Sequence, residues 1–218
     1  MFASYISPTY NELNLEHLDL INLLLQSNAI VDKRDLEGNS SLILACNSFC
    51  DKSINVVKLL LEQDACIHTQ NIYGDTPLLA ASKSGSLKVI KLLLEQNPEI
   101  NVQNIKGNTP LLAICNPLPR NGLEVVKLLL ERGALINIYD KNGDTPLLAV
   151  CKSRTISIEV IKLLLENGAN INVKNKDGNT PLLIAYTISS LELIHLFLKI
   201  GAKIDGINLK LPSIVHGF

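Results

Sequence analysis

The 218 residues include 20 Lys and Arg against 21 Asp and Glu, a net charge of −1, with no long basic run, so the basic face on which nucleic-acid binders neutralise phosphates is missing. With 47% hydrophobic and 19% charged residues the chain is too apolar to be disordered, and with no Trp its core has to come from Leu, Ile, Val and Ala, as thin layers of helices would use. The start, MFASYISPTYNEL, has no basic segment leading into an apolar stretch, and no run approaches bilayer length; no secretory signal, no membrane contact and a cytoplasmic chain are therefore expected, with export by a route that reads no N-terminal signal left open.

One octet recurs in chain order: EGNSSLIL at 37–44 in worn form, YGDTPLLA at 73–80, KGNTPLLA at 106–113, NGDTPLLA at 142–149 and DGNTPLLI at 177–184. Counted from Ser40, Thr76, Thr109, Thr145 and Thr180 the copies lie 36, 33, 36 and 35 residues apart, the signature of a stacked array in which each unit packs only on its neighbours. Thr or Ser just before Pro predicts a helix start, because the hydroxyl caps free backbone N–H groups and Pro in the first turn loses no hydrogen bond.

A second block follows each octet: INVVKLLLEQDA at 54–65, LKVIKLLLEQNP at 87–98, LEVVKLLLERGA at 123–134, IEVIKLLLENGA at 158–169 and LELIHLFLKIGA at 191–202. Its apolar stripe is broad, so these blocks are expected to be the inner helices, the last three closed by a left-handed residue at Gly133, Gly168 and Gly201. Extended turns such as NVQNIKGN at 101–108 join the units, with Gly38, Gly74, Gly107, Gly143 and Gly178 read as positions of positive φ.

The pattern G-x-T-P-L-x-x-A, then L-E-V-V-K-L-L-L-E-x-G-A, then an Asn before the turn, resembles the ankyrin repeat, whose units are a β-turn and two helices with a period of about 33 residues. The resemblance implies an all-α solenoid of stacked helix-loop-helix units with β-turn or hairpin connections over 1–205. Six repeats are expected, at about 5–35, 36–71, 72–104, 105–140, 141–175 and 176–205, with 206–218 a C-terminal cap or truncated repeat. The first comes from alignment: Leu23-Leu24-Leu25 on the LLL block puts Ser7-Pro8 on Thr-Pro and Asn28-Ala29 on Gly-Ala. It carries Tyr10, Asn11, Glu12, Asn14 and Glu16 where later repeats are apolar, the polar outer face a terminal cap needs.

The chain departs from the family pattern in three places. The family's His after Thr-Pro-Leu, which helps tie neighbouring turns together, is Leu79, Leu112, Leu148 and Leu183, and Ile43 in the worn copy, which implies a more apolar contact. The link between the two helices gains three residues at NSFCDKS, three at NPLPRNG and two at KSRTIS; such rim insertions either serve partners or record drift in a tolerant loop. The tail GINLKLPSIVHGF stops as another helix would begin; its LPSIV resembles the opening of F-box-like tails that follow ankyrin arrays in some poxvirus proteins, but thirteen residues are too few for that domain.

Cys46, Cys115 and Cys151 share one repeat position, six residues after the Ser or Thr, and adjacent units lie about 10 Å apart, too far for a disulfide; packed free thiols are expected. Cys50 and Cys66 form no CxxC pair, and His17, His68, His195 and His216 are scattered, so no metal, cofactor or active site is expected. Lys58, Lys91, Lys127 and Lys162 each precede Glu62, Glu95, Glu131 or Glu166 by four residues, which reads as a solvated helix face.

The resemblance points to the turn tips and the exposed side of the first helix as the contact surface. Leu36, Glu37, Ile72, Tyr73, Lys83, Ile105, Lys106, Tyr139, Lys141, Lys174 and Lys176 are the expected partner-binding residues, with Ser84, Asn116, Lys152 and Tyr186 behind them. Leu36, Ile72, Tyr73 and Ile105 cluster apolar groups in repeats two to four, while the later tips are more basic. Apolar tips either mark a contact site or pack only on the next turn. The chain is expected to be a non-enzymatic, monomeric scaffold for a protein partner. Its Ile-, Asn-, Lys- and Leu-rich composition and the absence of an attached catalytic domain motivate a second reading, a microbial or viral protein acting in a host.

Overall fold

The computed structural model describes residue 23 and residues 30–48 and 53–204. Most of the first repeat, including His17, the link around Cys50 and the tail from Asp205 lie outside them. The described residues form ten helices in five pairs: α1 (Ser41–Cys46) with α2 (Ser53–Glu62), α3 (Pro77–Ser84) with α4 (Leu87–Glu95), α5 (Pro110–Cys115) with α6 (Gly122–Glu131), α7 (Pro146–Lys152) with α8 (Ile158–Glu166), and α9 (Pro181–Thr187) with α10 (Leu191–Ile200).

The predicted starts are realised in the backbone. Ser40, Thr76, Thr109 and Thr180 accept the N–H of Ile43, Leu79, Leu112 and Leu183 at 3.2–3.3 Å, satisfying donors that a helix leaves open at its start. Thr145 makes no such bond, and its hydroxyl is buried without a partner among the described residues. At the other end Gly133, Gly168 and Gly201 take positive φ, and in repeats two and three Asp64 and Asn97 hold the same place at φ 57° and 53°.

The layering reverses one expectation. The short helices begun by the octets, α1, α3, α5, α7 and α9, are the inner layer; every residue of Pro110–Cys115 is buried. The longer second helices are the outer layer, buried along one side through residues such as Val125, Val126 and Leu129 while Glu124, Lys127 and Glu131 face water. Their stripe is broad because each touches its own inner helix and the neighbouring outer helices at once. Inner helices contact one another more closely than outer ones do, so the stack curves with its concave side toward the inner helices and turns. Ile43, Leu79, Leu112 and Leu148, which stand where the family carries His, are buried in the core.

The rim insertions of repeats four and five are built into the stack. Leu118 is buried; its N–H donates to Ser153 Oγ at 3.3 Å and its carbonyl accepts from Thr155 Oγ1 at 2.7 Å, so the links of repeats four and five brace each other. Asn121 Nδ2 donates to the Gly85 carbonyl at 3.2 Å, fixing the same link to repeat three. On the outer face Lys91 pairs with Glu124 of the next repeat at 2.6 Å.

Candidate partner-binding face

Five residues before each octet's Ser or Thr stands Asp or Asn: Asp35, Asn71, Asn104, Asp140 and Asn175. Its side-chain oxygen accepts the N–H of the residue four positions on, at 2.8–3.0 Å, and in the first four turns also that of the residue two on. These bonds close a tight loop and throw the two residues after the Asp or Asn outward, which makes the tips. For Asp35, partial burial pulls its pKa up, but the bonds from Asn39 and Glu37 outweigh it and hold the carboxyl below its usual range.

Consecutive tips are joined by backbone. The N–H of Ile72, Ile105, Lys141 and Lys176 donates to the carbonyl of Glu37, Tyr73, Lys106 and Asn142 respectively, each at 2.9 Å. This approach is why the turn glycine matters: a Cβ on Gly107, already at φ +80°, would sit 2.9 Å from the Asp140 Cα. Among the described residues the only β-type pairing is the isolated bridge between Arg34 and Ser40, so the connections are turns rather than formed hairpins.

A second line of bonds lies beneath. The amides of Asn71, Asn104 and Asn175 donate to Asn39, Asp75 and Asp144 of the turn before at 2.7–2.8 Å, tying neighbouring turns together. Asp75 also pairs with Lys83 at 2.5 Å, and Asp144 with Lys152 through both oxygens at 2.8 and 2.7 Å. Sequence reasoning missed both features, although the signals were present: the Asp or Asn at constant register, and Lys eight residues after Asp only in repeats three and five.

The expected site residues therefore separate by role. Leu36 is fully exposed, Ile72, Ile105 and Tyr73 are 60%, 51% and 42% exposed, and Glu37, Lys106, Lys141 and Lys176 stand beside them in the tip row. Tyr139 and Lys174 come one residue before the turn's Asp or Asn, on its flank, in the column of Arg34, Gln70 and Gln103; the Tyr139 carbonyl accepts from Gln103 at 3.1 Å. Lys83 lies on the concave side, held by Asp75. A groove of about 310 Å³ between repeats two and three brings Glu37, Tyr73 and Lys83 together over Leu44, Asn47 and Asp75.

Cys46, Cys115 and Cys151 are free and buried, and burial pushes their thiols up, Cys151 to about 12; Cys66 is exposed. No cluster of His, Cys, Asp and Glu among the described residues could hold a metal ion, and no helix among them is long and apolar enough to cross a membrane.

A stack of helix pairs that displays one row of laddered turns defines a helical repeat protein. The family model "Ankyrin repeats (3 copies)" matches residues 11–104, 52–140 and 111–208, and the chain belongs to that family, whose arrays are generally protein–protein interaction modules and typically not enzymes. A search of curated proteins found no match.

Proposed function

We propose that the chain is a non-enzymatic, monomeric recognition module that holds a partner protein across its turn tips and concave groove. The observation that carries this reading is the row itself. Leu36, Ile72, Tyr73 and Ile105 stay exposed on three consecutive turn tips, beside inner helices whose Leu79, Leu112 and Leu148 are buried. Contiguous exposed apolar groups rimmed by polar ones mark contact sites more often than scattered ones do. Leu36, fully exposed, packs on no neighbouring turn. Because the backbone ladder already fixes each tip relative to the next, binding orders little of this surface.

The test is capture of a partner from cell lysate by the intact chain and by the Tyr73→Ala/Ile105→Ala variant. The variant is expected to bind at least about tenfold more weakly, the effect of losing one or two interface anchors, with unchanged helical circular dichroism. Undiminished binding refutes this placement of the site and moves attention to the links at 116–121 and 153–157.

A further inference from the structure

Along the row, one repeat position runs Leu36, Ile72, Ile105, Lys141, Lys176: three apolar rungs, then two cationic ones. The fold treats its lysines on this side unequally. Lys83 and Lys152 are neutralised by Asp75 and Asp144. Lys141 and Lys176, with Lys106 beside them, are exposed and form no ion pair among the described residues. The turn carboxylates at that end are Asp140, whose oxygens accept bonds from Asn142 and Asp144, and Asp177. Counting Lys174 as well, four lysines face two carboxylates, so this end of the row keeps a surplus of two positive charges.

Resting on the reading of the tips as the contact face, we propose that the occupant is an extended peptide segment with apolar side chains at one end and carboxylates at the other. Adjacent rungs are about one helix diameter apart, roughly 10 Å. A polyproline II segment, with three residues per turn and about 3.1 Å rise, returns a side chain to the same face every 9 Å or so, which matches the rungs. The segment therefore presents an apolar residue at every third position over Leu36, Ile72 and Ile105, then an acidic residue at every third position over Lys141 and Lys176. A nucleic acid would meet cations on the last rungs only, and three apolar rungs offer nothing to its phosphates.

The probe is a fluorescent synthetic peptide with Leu at three successive third positions, Glu at the next two, and Pro or Ser between. It is made in both chain directions, because the row does not fix polarity. Anisotropy with the full chain is expected to show saturable binding in one direction, weakened about tenfold when Gln replaces Glu and similarly by Lys141→Glu/Lys176→Glu, with Lys in place of the peptide's Glu restoring the variant's binding. Equal binding of the Glu and Gln peptides, or binding in neither direction, overturns the proposal. A single-stranded oligonucleotide that binds through Lys141 and Lys176 and ignores Leu36→Ser/Ile105→Ser overturns it in favour of nucleic acid. The two readings fail separately: a captured partner that still responds to Tyr73→Ala/Ile105→Ala keeps the tip site standing when the peptides fail, and one that does not removes both.

Discussion

Thr109 and Thr145 occupy the same place in their repeats, yet Thr109 caps its helix through a 3.2 Å bond from Leu112 and Thr145 has a buried hydroxyl with no partner among the described residues. Thr109→Ala should therefore cost about 1 kcal/mol and Thr145→Ala distinctly less, as urea midpoints will measure; equal losses would contradict the difference. The cysteine column gives a pH prediction. Burial raises the thiols of Cys46, Cys115 and Cys151, the last to about 12. An unfolded thiol ionises near about pH 8.5, so above that value the unfolded chain binds fewer protons than the folded one. The contribution is complete below about pH 8.5 and is lost toward pH 12 at roughly 1.4 kcal/mol per pH unit for each thiol. Stability should fall more steeply above pH 9 in the natural chain than in Cys46→Ala/Cys115→Ala/Cys151→Ala; identical slopes would refute it. The shared register alone identified these residues as packed thiols, because a small side chain at a repeated inner position has one environment.

At the scale of the element, the turns do more than connect. Gly107→Ala adds a Cβ against the Asp140 backbone at a positive φ, whereas Gly168→Ala, also at positive φ, meets nothing within 4 Å. The second change should cost about 1–2 kcal/mol from backbone strain alone and the first clearly more, read from thermal or urea unfolding; comparable costs would mean that the turns are not in register-locked contact. Caps, turn glycines and the two-helix unit were legible because each depends on residue type at a fixed offset. Which helix lies inside was not legible. The second block's stripe in LEVVKLLLE reads as full burial, but its width comes from several neighbours meeting it on one side, while short PLLAIC owes its burial to the layers around it. The links at 116–121 and 153–157 were legible as insertions but not their bracing, since the bonds that brace them join residues more than thirty positions apart.

For the whole molecule, recurrence supplies the core and the residues that differ between copies supply the surface. The tip row was legible from register, as Leu36, Ile72 and Ile105 fall on one position. Charge was only half legible: Lys83 and Lys152 look like the tip lysines in sequence, and only the stacked turns show that Asp75 and Asp144 occupy them. Tyr139 and Lys174 were assigned to tips because a turn's flank and its apex differ by one or two residues. The partner-facing side can be read directly by hydrogen–deuterium exchange of the full chain with and without its captured partner. Exchange should slow in segments 35–39, 71–75, 104–108 and 140–144 and along the exposed side of the inner helices, with α2, α4, α6, α8 and α10 unchanged. Protection confined to those outer helices or to the links, with the four turn segments unaffected, would contradict recognition through the tips.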